Sequence, residues 1–307
     1  MLNTDQDGAV DEIAQLITYE QIKERFFAGY TKQLNAGLSM GDAVSKGWVC
    51  RTLLFGFPGC GKSEYPFVIA YKLKRELAIN CSLLYIKCHR LASAHNEASA
   101  MKAHLREITK EIKKFQPIIL AFDEFDAISP RRTSPSSSLA ELSLWTMSFL
   151  ANGSKEDKGE KIFVMGITNF PTQVDVAVLD RLQYRIYFGL PDTGVIAQML
   201  GQQKIPHHED VANLLIGRMA QRGLVVTGRG IMLACKAIQH IENCGEKVLS
   251  PDMRPDEIAD RVLIHSPTIN SKEISDYENE NRIYIANSDV VVNYWSSIFK
   301  NPKSSKA

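Results

Sequence analysis

A short β-prone run, TLLF (52–55), leads directly into Gly56-Phe57-Pro58-Gly59-Cys60-Gly61-Lys62-Ser63. This is the spacing GxxxxGK[ST], and it constrains the chain more than any other feature. The pattern has meaning only between a strand and a helix, where the loop backbone can fold around a phosphate chain. Gly56, Gly59 and Gly61 let the backbone turn tightly enough for successive N–H groups to converge on anionic oxygens. The following helix N-terminus adds positive potential beneath them. In this arrangement Lys62 reaches the outer phosphates of a nucleoside triphosphate and the Ser63 hydroxyl ligates magnesium. The expected cofactors are therefore ATP and Mg²⁺. The expected cradle is Gly56, Pro58, Gly59, Cys60, Gly61, Lys62, Ser63 and Glu64. Pro66 follows closely, and its missing N–H can bend the entry into the helix.

The surrounding pattern supports the same architecture. Four further runs, SLLYIK (82–87), PIILAFD (117–123), IFVMGITN (162–169) and RIYFGL (185–190), are nearly continuous in apolar character. Such runs suit strands buried on both faces of a parallel sheet. Helical periodicity separates them. Met101, Leu105, Ile108, Ile112 and Phe115 form one stripe over 96–115, and Leu142, Trp145 and Phe149 another over 139–150. Alternation of this kind predicts an α/β fold with a doubly wound parallel sheet. After Pro191-Asp192 only helical periodicities are read as far as residue 265. The expected division is an α/β nucleotide-binding domain over 1–192, a small helical lid over 193–265 and a C-terminal extension over 266–307. Two polar stretches, 129–138 and 151–161, read as exposed loops.

Two strand ends carry further chemistry. PIILAFD closes on Asp123-Glu124. An acid at the end of this strand can hold Mg²⁺ opposite Ser63, and Glu124 can then polarise an attacking water as general base. IFVMGITN ends on Thr168-Asn169, where a polar residue can meet the outer phosphate or the lytic water. On its own an asparagine there would be read as a turn residue.

Together FGFPGCGKS, LAFDEFDAISPRR and GITNFPTQVDVAVLDRLQYRIYFGLPD resemble the AAA+ ATPases. The likeness is strongest to the AAA branch that includes katanin, spastin and the vacuolar-sorting ATPase, and it extends over roughly residues 15–245. The resemblance implies a ring-forming homo-oligomer, a hexamer, that acts on a protein substrate or effector. It gives Asn169 the sensor-1 role and makes Arg181 the finger that reaches the nucleotide of a neighbouring subunit. Arg185 is the alternative finger or a structural arginine, because Asp180 stands where relatives often carry the first of two arginines. Thr227-Gly228-Arg229-Gly230-Ile231 is similar to the sensor-2 motif of Clp-type unfoldases, which implies contact between Arg229 and ATP from the lid side. Two features depart from the family. His95 stands where ring translocases carry a substrate-gripping aromatic, and the 139–149 helix lacks paired arginines.

Composition narrows the biology. The formal net charge is +1 and basic residues near 102–114 alternate with Glu107 and Glu111, so nucleic acid is not the expected partner. No apolar run reaches membrane-helix length, so membrane insertion is not expected. Six scattered cysteines without CxxC pairing suit a reduced, cytoplasmic protein. Fewer than about forty-five residues precede the ATPase core, too few for a recruiting domain of usual size. Three readings stay open: a protein-remodelling ring, a nucleotide-dependent switch controlling an effector protease or nuclease, and a DNA-transaction loader, the last disfavoured by charge.

Overall fold

In a computed structural model the chain is described over residues 51–67, 69–70, 80–90, 98–115, 117–131, 138–151, 162–182, 184–245, 247–288 and 290–292. The five apolar runs form five parallel strands: β1 (Arg51–Gly56), β2 (Ser82–Lys87), β3 (Ile118–Asp123), β4 (Ile162–Thr168) and β5 (Tyr184–Phe188). β1 and β4 are buried along their whole length, as continuous apolar runs require, whereas β2 is only partly covered. Helices α1 (Ala98–Ile112), α2 (Ser138–Ala151) and the single turn α3 (Val176–Leu179) lie between the strands. Leu105 and Ile112 of α1 and Leu142 and Trp145 of α2 are buried, as their stripes predict. Phe115 is not: α1 gives way to a 3-10 turn at Lys113–Phe115, and the ring is left 58% exposed. The change of helical pitch turns it off the stripe.

A second apolar core, separate from that of the sheet, is built from α4 (Thr193–Gln202), α5 (His208–Gln221), α6 (Gly228–Asn243) and α7 (Pro255–His265). This region is not purely helical. β6 (Leu224–Val226) pairs antiparallel with β7 (Thr268–Asn270), so the expected boundary at residue 265 cuts a two-stranded sheet. A three-residue strand is too short to show alternation, which is why periodicity misses it.

The segment that follows returns to the first core. In α8 (Ser271–Glu280), Tyr277 is buried and meets Phe57 edge-on at 5.4 Å, and Tyr187 donates to Glu278 across 3.3 Å. After α9 (Arg282–Ala286), β8 (Val290–Val292) pairs parallel with β5. The sheet order is β2-β3-β4-β1-β5-β8. Within the C-terminal extension, Val290–Val292 are therefore strand; residues 293–307 lie outside the described residues. So do residues 1–50, the loop carrying His95, and most of both polar loops (132–137 and 152–161). Because the strands are parallel, β1, β3 and β4 end at one edge, the usual place for ligands in such sheets.

Candidate active site

The glycine-rich turn begins where β1 ends. Gly59 and Gly61 have φ of 83° and 85°, a left-handed backbone that a side chain would strain. The α-helix starts at Tyr65, later than the motif implies. Glu64, Tyr65 and Phe67 donate to the carbonyls three residues back, of Gly61, Lys62 and Glu64, across 3.1, 3.3 and 3.1 Å. Pro66 accounts for this, since it lacks the N–H that an α-helix would offer the Lys62 carbonyl and Tyr65 supplies the donor instead.

Lys62 is 4% exposed, and its ammonium donates to the carbonyls of Gly56 and Phe57 at 2.8 Å each. Burial lowers its pKa to about 8, with Arg229 adding to the shift and Cys60 and Asp123 opposing it. A desolvated ammonium inside a ring of loop carbonyls is poised to bind an anion. The neighbouring Cys60 thiol is pushed up to about 11 by burial and stays protonated, an inert packing group.

Asp123 closes β3 opposite the turn. Its Oδ2 accepts from Ser63 Oγ at 3.4 Å and from Tyr85 Oη at 2.5 Å, while Oδ1 accepts the Glu124 N–H at 3.1 Å. A serine hydroxyl and a carboxylate in contact are the hard oxygen donors that Mg²⁺ prefers. Among the described residues no group of three or more His, Cys, Asp or Glu forms a metal cluster. A hydroxyl and one carboxylate suit a Mg²⁺ ion that takes its remaining ligands from phosphate and water.

Glu124 has left-handed backbone angles (φ 55°, ψ 52°), an outlier for a residue with a Cβ. Its half-exposed carboxylate touches His89 Nδ1 just past β2. Asn169 follows β4, the strand next to β3. Its turn is fixed by the buried Thr168 hydroxyl, which donates to Asp126 at 2.5 Å and accepts the Phe170 N–H at 2.9 Å.

Arg229 arrives from the second core. Thr227 caps α6 by accepting the Gly230 N–H, and the Arg229 N–H donates to the Gly59 carbonyl at 3.1 Å. A Cβ on Gly59 would stand 2.8 Å from Thr227 Oγ1 and 3.2 Å from Arg229 Cβ. Gly59→Ala should therefore strain the loop by about 1–2 kcal/mol and push α6 away. A lower melting temperature together with roughly tenfold weaker ATP binding is expected; a thermal melt and a nucleotide titration check both.

Arg181 stands apart from these groups. It precedes β5, whose Tyr184 pairs with Thr52 at the start of β1, so about 13 Å of strand lies between that level and Gly56. Its guanidinium donates to the Ala177 carbonyl. Arg185 donates to the Leu179 carbonyl at 3.3 Å and faces Asp180 at 3.9 Å, the structural alternative for that residue. The loop, Lys62, Ser63, Asp123, Glu124, Asn169 and Arg229 thus share one edge of the sheet, and Arg181 does not. Tyr85, His89, Asp126 and Thr227 also belong to the site and escape sequence reasoning. Only the short spacing of Asp126 from Asp123 and of Thr227 from Arg229 offered a signal.

Residues 52–190 match the family described as ATPase family associated with various cellular activities (AAA). Among curated proteins, the chain is 29% identical over 199 residues to the ATPase family gene 2 protein of Saccharomyces cerevisiae, covering 64% of this chain and 24% of that protein. It is 25% identical over 240 residues to spastin of Dictyostelium discoideum, covering 75% and 35%. Identity is also 25% over 241 residues to cell division protein C of Sulfolobus acidocaldarius, covering 77% and 63%. The chain thus spans less than two thirds of each of these relatives. The FIGL-1 AAA domain, solved with ADP, superposes with a TM-score of 0.58 at 18% identity and 87% coverage of both chains, a likeness of fold.

Proposed function

Since residues 52–190 of this chain are an AAA ATPase domain, we propose that it binds MgATP, hydrolyses the outer phosphoanhydride and uses the cycle to remodel a protein partner as a ring of like subunits. The observation that supports this most is the gathering of Lys62, Ser63, Asp123, Glu124, Asn169 and the lid residue Arg229 at one edge of the sheet.

Each residue has a distinct task. Loop amides and Lys62 bind the phosphates, so Lys62 exchanges two carbonyl partners for anionic oxygens. Ser63 and Asp123 hold Mg²⁺, which neutralises charge developing on the phosphates. Glu124 takes a proton from the attacking water, and Asn169 orients that water or the outer phosphate. Arg229 couples the lid to the loop, because its backbone is bonded to Gly59 and its charge already reaches Lys62. Arg181, placed away from its own loop, serves the site of a neighbouring subunit and stabilises transition-state charge there. Motion of the lid on the loop is then the step that transmits hydrolysis to a partner.

His95 at the position of the gripping aromatic favours a second reading, in which the ring switches an associated effector without threading polypeptide. Both readings require assembly. The Glu124→Gln protein, weighed in solution by light scattering with and without MgATP, should move from small species to a hexamer-sized particle. A particle that stayed monomeric or dimeric in MgATP would exclude a ring formed by this chain alone and leave assembly dependent on the effector.

A further inference from the structure

The Tyr85 hydroxyl is the nearest donor to Asp123, and none of the chemistry assigned above uses it. It meets Oδ2 at 2.5 Å, whereas Ser63 Oγ reaches the same oxygen at 3.4 Å. The two residues lie on neighbouring strands, with Tyr85 paired to Ala121 and Lys87 paired to Asp123. Tyr85 and Asp123 are therefore two positions apart along one face of the sheet, a diagonal that a ring of this length spans. The ring is itself braced by Phe67, in the helix after the glycine-rich loop, at 5.2 Å between centroids.

We propose that Tyr85 is a positioning residue for the metal site: it holds the Asp123 carboxylate in the orientation in which Oδ2 faces Ser63. The proposal rests on Asp123 being the metal-side carboxylate. Without the phenol, Asp123 keeps the Glu124 N–H on Oδ1 and only the long Ser63 contact on Oδ2. The carboxylate is then free to rotate about its last torsion, which is broad for aspartate. Removal of a group that orients a metal-binding side chain usually weakens metal binding by about 10–100-fold. The Phe67 contact adds a consequence, because Tyr85 links the helix after the phosphate loop to the strand that carries Asp123. Its ring couples the two halves of the site mechanically, and its hydroxyl does so chemically.

Tyr85→Phe separates these roles by keeping the ring and deleting the hydroxyl. The test is the binding of a fluorescent ATP analogue, titrated with Mg²⁺ and repeated in EDTA. In EDTA, Tyr85→Phe should bind the analogue as the unaltered protein does, within about twofold. The Mg²⁺ concentration giving half of the metal-dependent signal should rise about tenfold. On an Asp123→Asn background the same substitution should add nothing, since a residue acting through Asp123 has no further route to the metal. Superposable Mg²⁺ titrations for Tyr85→Phe and the unaltered protein would overturn the proposal. So would an equal loss in EDTA, or effects additive with Asp123→Asn, because either points to general packing. If the unaltered protein itself showed no Mg²⁺-dependent signal, the metal-site reading beneath the proposal would fall with it, a result distinct from failure of Tyr85 alone.

Discussion

The Lys62→Ala protein should lose ATP binding by about a hundredfold or more, while its fold survives. The loss follows from burial: an ammonium that is 4% exposed forms charge-assisted bonds in a site screened from water. Truncating one partner of such a buried pair typically costs about 2–5 kcal/mol. The fold survives because the same ammonium is a strained guest before nucleotide arrives. Its pKa falls from 10.5 to about 8 on burial, so between those values the folded protein binds fewer protons than the unfolded chain. The contribution of this group to stability therefore rises with pH across that window. Binding of phosphate favours the charged form and raises the pKa again. ATP affinity should consequently be flat below pH 8 and fall by up to about tenfold per unit above it. An isothermal titration series from pH 7 to 9.5 reads both effects. Unchanged affinity in Lys62→Ala would remove the phosphate loop from the site.

The parallel sheet was legible because strands buried on both faces have no polar positions to interrupt them: β1, β2, β3 and β4 appear within one residue of their apolar runs and β5 within two. Failures occurred where local pattern and tertiary context part. The helix after the loop starts late because Pro66 lacks a donor, and Phe115 leaves its stripe where the helix tightens. β6 escaped because its three residues find their partner in β7, more than forty positions later.

The site divided along the same line. Lys62, Ser63, Asp123 and Glu124 are fixed by strand ends and a turn, so local spacing announces them. Tyr85 reaches Asp123 from an adjacent strand, 38 residues away in the chain, and His89 reaches Glu124 from just past the end of that strand. No local period encodes such pairs; sheet register creates them. Arg181 shows the opposite case, a residue announced by resemblance that the single chain does not bring to its own loop.

Glu124→Gln should bind MgATP with nearly unchanged affinity and hydrolyse it about 10²–10⁴ times more slowly, the usual contribution of a general base. Its neighbour Asp123 is a poor candidate for that role, because both carboxylate oxygens already accept hydrogen bonds, from Tyr85, Ser63 and the Glu124 N–H. Glu124 differs in its backbone. The left-handed turn at φ 55° redirects the chain as the strand ends and sets this side chain outside the ladder, half exposed. A non-glycine residue in that region costs about 1–3 kcal/mol, and such strain is retained where it serves a site. Glutamine keeps the shape and the hydrogen-bonding reach of the side chain but cannot accept the proton, so phosphate release in a single turnover isolates the chemical step. Hydrolysis within tenfold of the unaltered rate would rule out Glu124 as the base. Attention would then pass to His89, whose Nδ1 touches the same carboxylate, and a His89→Ala protein would have to show the loss that Glu124→Gln did not.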